Sequence, residues 1–340
     1  MEEVQAAVED SPMAVELETP PVAPLDNNRD LGASLSDGLD RDPESALQQK
    51  FPAKRDGDAW LFEPTHTYVV RGTEVHTSVT KMVKKHWPQF DPDVAMSGYQ
   101  QWKANKSSKY GMLIDYLTVV EQRDDDYCKA AIKALWRRKG EIASKLGTDM
   151  HRDFQYICED KEPPQGETYE VQLFRPWLKT FCEKYKLAPW RAEWVVYYEV
   201  NGRIVVAGQI DLVLKHTERD EYWCIDYKRK DPTAKYPGGG KQILGSESGS
   251  KFREETGSGP FKEMPHNDFS VYTTQLNAYG HIAATQYGVD FRDRMCLLQI
   301  HPFLETPHLV RCERLDDAMG GLFALEAAAL PKPGSAAELF

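Results

Sequence analysis

The 340-residue sequence has no run of about 18 apolar residues, the length a membrane-spanning helix needs, so no membrane partner is expected. It has no CxxC pair. Cys128, Cys158, Cys182, Cys224, Cys296 and Cys312 stand far apart, which argues against a structural zinc site and an iron–sulfur cluster. It has no GxxxxGK[ST] phosphate loop, so no built-in ATP motor is expected. The start, MEEVQAAVEDSPM, lacks a basic segment followed by an apolar one, and it is poor in arginine. No signal or transit peptide is read there, and the scattered cysteines fit reduced thiols. An intracellular setting, nucleus or cytoplasm, is expected. The first 50 residues also lack any aromatic side chain, while holding five prolines and 12 acids against 3 bases. Residues 1–55 are therefore expected to be a disordered acidic tail, with order starting near Trp60.

What is present is enough for a core: 41% apolar residues and 11% aromatics. The length suits two domains of about 150 residues, or one large α/β domain with a tail. Of the net charge of −11, the first 50 residues carry −9, whereas residues 51–145 carry +4. An acidic whole therefore does not exclude a nucleic-acid partner. Residues 56–140 read as a helical, partly basic region. Within it 67–76 reads as a hairpin turning at Arg71-Gly72, and Ser78 as a helix cap beside Lys81, Lys84 and Lys85. Tyr99, Trp102, Lys103, Lys106, Lys109 and Tyr110 interleave aromatics with cations. They could form a path for single-stranded nucleic acid, or they could be core aromatics with a solvated lysine face.

Residues 141–330 read as an α/β domain. Helices are expected over 141–158 and 168–186, then strands over 192–200, 203–215 and 221–228. The second strand follows an Asn201-Gly202 turn. Residues 231–268 hold seven glycines and few apolar residues, and are expected to be a mobile loop. A helix over 269–287, strands over 294–301 and 307–312, and a helix over 315–329 follow, with 331–340 a flexible tail.

Two apolar strands each carry an isolated carboxylate. Asp211 sits in Gly208-Gln-Ile-Asp211-Leu-Val-Leu, and Asp226 in Trp223-Cys-Ile-Asp226-Tyr-Lys228. Alternation places Asp226 and Lys228 on one face and Ile225 and Tyr227 on the other. A buried charge costs several kcal/mol unless it is paired or binds metal. Asp226 and Lys228 could simply pair, which leaves Asp211 unexplained. Alternatively, two carboxylates on neighbouring strands make an oxygen-rich site for a hard divalent cation, with a lysine beside it.

Gly208-x-x-Asp211 followed by Asp226-x-Lys228 resembles the PD-(D/E)XK nuclease signature, and more narrowly its RecB-type branch. Gly147-Thr-Asp-Met-His151 resembles the branch's upstream helical motif, and Gln275-Leu-Asn-Ala-Tyr279 its downstream helix. Arg191-Ala-Glu193-Trp-Val-Val-Tyr and Leu298-Gln-Ile-His301-Pro302 are similar to segments of members from large DNA viruses and protists. The resemblance spans about residues 140–312. It implies a restriction-endonuclease-like mixed β-sheet flanked by helices, behind the helical N-terminal region. It also implies a Mg²⁺- or Mn²⁺-dependent deoxyribonuclease, an exonuclease rather than an endonuclease, acting on single-stranded DNA or DNA ends. The implied metal ligands are His151, Asp211, Asp226 and the carbonyl of Tyr227. Lys228 would orient the attacking water, and Glu193 would bind metal through water or support Lys228. Gln275 and Tyr279, which share a helix face, would lie near the DNA backbone. The alternative is a catalytically inactive nucleic-acid-binding module on the same fold.

Overall fold

The computed structural model describes residues 45–233, 244–245 and 255–330, which fall within the unit Asp40–Phe340. Helix α1 (Ala46–Lys50) opens with a capping box between Ser45 and Gln48, and its Leu47 is buried in the core. Farther on, Asp56 forms a buried ion pair with Arg191 at 2.6 Å. The tail boundary expected at residue 55 is therefore corrected, since order is in place from Ser45. A single apolar residue and a cap suffice there because the main sheet offers them a seat. The rest of the expected tail, residues 1–44, and the expected tail 331–340 lie outside the described residues.

Strands β1 (Ala59–Phe62), β2 (Thr67–Val70) and β3 (Thr73–Val75) form a three-stranded antiparallel sheet. Its second turn falls at Arg71 and Gly72, whose φ values of 50° and 78° mark the left-handed turn that matches strand twist. Helix α2 (Val79–Lys84) is capped by the Ser78 hydroxyl. Short helices α3 (Pro92–Ala95), α4 (Tyr99–Ala104) and α5 (Lys109–Asp115) lead into α6 (Asp125–Cys158), a single helix of 34 residues. The boundary expected at residue 140 falls inside α6, because Gly140 costs only helix propensity and does not break the helix. In this region Tyr99 is buried, and Trp102 and Tyr110 pack against the same cluster. Lys103 and Lys106 pair with Asp125 and Asp115. Of the two readings of that stretch, core aromatics with a solvated lysine face describes these residues.

Helix α7 (Tyr169–Tyr185) precedes the main sheet: β4 (Leu187–Val200), β5 (Arg203–His216) and β6 (Tyr222–Arg229), then helix α8 (Asp268–Tyr287), β7 (Met295–Ile300) and β8 (His308–Arg311). Helix α9 (Asp316–Ala329) ends the described chain. Strand order is β4-β5-β6-β7-β8, antiparallel except for the parallel pair β6–β7 that α8 connects. The protein thus has an α/β fold with a mixed sheet. Side chains of α6 and α7 pack on one face, including Phe154 and Phe174 stacked at 3.8 Å, and those of α2, α8 and α9 on the other. Among the described residues no helix is long and apolar enough to cross a membrane.

The expected mobile loop is corrected in part. Phe261 is fully buried and stacks on Trp87, and the Leu244 amide donates to Gln299 Oε1 at 2.9 Å. These apolar anchors were hidden by the glycine-rich composition around them. Residues 234–243 and 246–254 of that loop lie outside the described residues.

Candidate metal centre

Strands β5 and β6 pair from Lys215–Tyr222 to Leu212–Ile225 and then separate. Asp211 and Asp226 are the next residues on the two strands, at the opening of the fork. Separation takes backbone groups off the ladder, and the Tyr227 amide donates instead to Asp211 Oδ2 at 2.7 Å. The neighbouring strand β4 is irregular at the same level. Glu193 has a φ of 47°, a left-handed backbone uncommon outside glycine. Strain of this kind is retained at ligand sites because surrounding structure holds it there.

His151, from α6, places Nδ1 3.2 Å from Glu193 Oε1 and 3.6 Å from Asp211 Oδ1. One ligand atom from each of these three residues lies within 4.8 Å of the others. Burial disfavours the charged imidazole, but the Asp211 and Glu193 carboxylates outweigh it and raise the His151 pKa to about 9. Burial pushes Asp211 above the usual carboxylate range, with Glu193 adding to the push and His151 opposing it.

Asp226 and Lys228 occupy the face covered by α8, while Ile225 and Tyr227 point into the α6–α7 side, as alternation requires. Lys228 Nζ lies 2.5 Å from Asp226 Oδ2 and 4.8 Å from the centre of the Tyr272 ring. Burial raises the Asp226 pKa to about 6 even with Lys228 beside it. Lys228 is itself pushed up, because Asp226 and Asp211 together outweigh its burial.

The expected residues are therefore gathered, with shifts of position. Among the expected ligands, His151 and Asp211 come together. Glu193 joins them directly rather than from a distance, and Asp226 stands beside the group, against Lys228. Tyr227 enters through its amide, with its ring in the core 5.5 Å from His151. Gln275 and Tyr279 lie at the seam of α8 with α2: Gln275 Nε2 is 3.2 Å from Thr80 Oγ1 and 3.4 Å from the Tyr279 hydroxyl. Gly208 is required there, since a Cβ would lie 2.8 Å from the Tyr279 ring. Gly147 differs. A Cβ there would meet nothing within 4 Å, and Gly147 lines the groove beside His151. His301, at a strand end, accepts the Phe303 amide and is buried, a structural histidine. Sequence reasoning missed Tyr272. Its signal was its spacing, three residues before Gln275 and seven before Tyr279, on one helix face.

A groove of about 280 Å³ opens onto His151 and Glu193, with α6 on one side and β1 and the turn after it on the other. No protein-family model matches the chain, and no curated protein matches it. A solved structure titled "Crystal structure of SSO0001" is similar over 55% of this chain and 76% of its own, at 12% identity. Its TM-score of 0.22 is too low to carry an argument.

Proposed function

We propose that the protein is a Mg²⁺- or Mn²⁺-dependent nuclease that hydrolyses DNA phosphodiester bonds on single strands or strand ends. The observation that carries this reading is the juxtaposition of the His151–Glu193–Asp211 cluster with the Asp226–Lys228 pair. The donor set fits a hard divalent cation: two carboxylates and an imidazole within 4.8 Å, one carboxyl pushed up by burial and so favoured by added positive charge. His151, Glu193 and Asp211 would hold the ion, with Asp226 and the Tyr227 carbonyl the further donors that the resemblance implies. When bound, the ion supplies Lewis acidity at the phosphate and lowers the pKa of a water.

Lys228 is kept charged by Asp226 and positioned by Tyr272, so it can orient the attacking water and stabilise charge developing on the phosphate. In the reaction, water oxygen bonds to phosphorus, the P–O ester bond breaks, and the alcohol leaves with a proton. Gln275 and Tyr279 brace the α8 face from which Tyr272 reaches Lys228.

The test uses end-labelled single-stranded, duplex, flapped and closed circular DNA, with and without Mn²⁺. The wild-type chain should cut free single-stranded ends fastest and only with the cation. Lys228→Ala should lower turnover by 10²-fold or more while still binding DNA, because its role lies in the transition state. Binding and turnover falling by the same factor would make Lys228 a phosphate anchor instead.

A further inference from the structure

Resting on that nuclease reading, we infer that the groove between β1 and α6 is a single-strand channel in which Arg152 grips a backbone phosphate. The N-terminal sheet thereby selects unpaired DNA. Arg152 directly follows His151 on α6 and lines the groove. It is exposed, and it makes no salt bridge or hydrogen bond among the described residues. Among the described residues most other cations are answered by a carboxylate, as Lys103, Lys145 and Arg175 are. A guanidinium left free one residue from a candidate catalytic group is available to fork onto two phosphate oxygens.

The opposite wall supplies the complementary feature. His66 stands in the turn after β1 with a φ of 51°, its ring exposed and edge-on to Tyr68 at 5.8 Å. An exposed imidazole ring can stack on an unpaired base, whereas a duplex hides that face. Glu63 on the same wall offsets part of the positive charge, so the phosphate is placed on the Arg152 side. The floor is formed by His151 and Glu193, two of the residues proposed to hold the cation, so a phosphate on Arg152 lies next to that site.

The groove's volume of about 280 Å³ falls just below the roughly 300–1,000 Å³ of small-ligand pockets, so it is a narrow seat. The wall that carries His66 is formed by the end of β1 and the turn after it, which lie outside residues 140–312. The selectivity is therefore a property of this chain's N-terminal region rather than of the nuclease-like core.

The experiment measures binding rather than cutting, on the full chain carrying Lys228→Ala, in Mn²⁺. The probes are a fluorescent 15-nucleotide oligo(dT) and a duplex closed by hairpins at both ends. Adding Arg152→Ala should weaken oligo(dT) binding about tenfold and reduce the slope of log affinity against log salt by roughly 0.7, the share of one single-strand phosphate. Arg152→Lys should restore part of the loss, the melting temperature should not move, and duplex binding should change less than twofold. Unchanged oligo(dT) binding, or equal losses for both probes, would overturn the channel. If oligo(dT) binding falls as stated but the wild-type chain never cuts DNA, the nuclease reading fails while the channel stands. If the wild-type chain cuts but Arg152→Ala changes nothing, only the channel fails.

Discussion

Asp226 shows how a single side chain records the demands of the site. Its ordinary pKa near 3.8 is raised to about 6 by burial, although Lys228 lies 2.5 Å away. A carboxyl whose pKa rises on folding destabilises the native state once ionised. The stability present below pH 3.8 is lost as pH climbs through about 6. Asp226→Asn removes that penalty but also the partner of buried Lys228, so in the metal-free protein its stability relative to wild type should gain as pH rises from 3.5 to 7, while cleavage is abolished. Melting curves in a chelator between pH 3.5 and 7.5 check this: the gain should vanish at the acid end. A relative stability that falls as pH rises would show that Asp226 serves the fold. Asp211, Asp226 and Lys228 stood out in the sequence because an isolated charge in an apolar strand needs a reason, whereas His151, on a helix, stood out only through the resemblance of its motif. The direct contact of Glu193 with His151 was not legible, because it depends on a left-handed backbone at one position, which no residue pattern encodes.

At the scale of elements, strands and long helices were readable, and their limits were less so. Alternation and the Arg71-Gly72 and Asn201-Gly202 turns located the turn ends of β2 to β5, since a turn with positive φ at both positions admits few residues, whereas β4 begins at Leu187, five residues before the expected 192. Composition misplaced α1 and the segment around Phe261. In each, one or two apolar residues reach a seat on the core that only the tertiary fold provides. This bears on truncation. Removing residues 1–44 should leave the melting temperature and cleavage in place. Removing residues 1–50 takes away Leu47, and Leu47→Ala alone should cost about 2–5 kcal/mol. Thermal unfolding of the three proteins decides it: equal melting temperatures would mean that α1 does not stabilise the fold.

On the scale of the whole molecule, the mixed sheet and its two helical layers converge on one place, the fork where β5 leaves β6. There α6 contributes His151, β4 contributes Glu193, the fork itself contributes Asp211, Asp226 and Lys228, and α8 contributes Tyr272. The sequence announced the fold class through the order of its strands and helices. It could not announce that β1 and the turn after it form a wall of the groove, because that wall faces α6 across more than 75 residues of sequence. The decisive measurement is the rate at which a 5′-labelled single-stranded oligonucleotide is cut as Mn²⁺ is added, for wild type and Asp211→Asn side by side. The account predicts saturable Mn²⁺-dependent cutting by wild type and a loss of at least 10²-fold in a variant that melts no lower. Undiminished cutting by Asp211→Asn, or no cutting by wild type at any Mn²⁺ concentration, would contradict it.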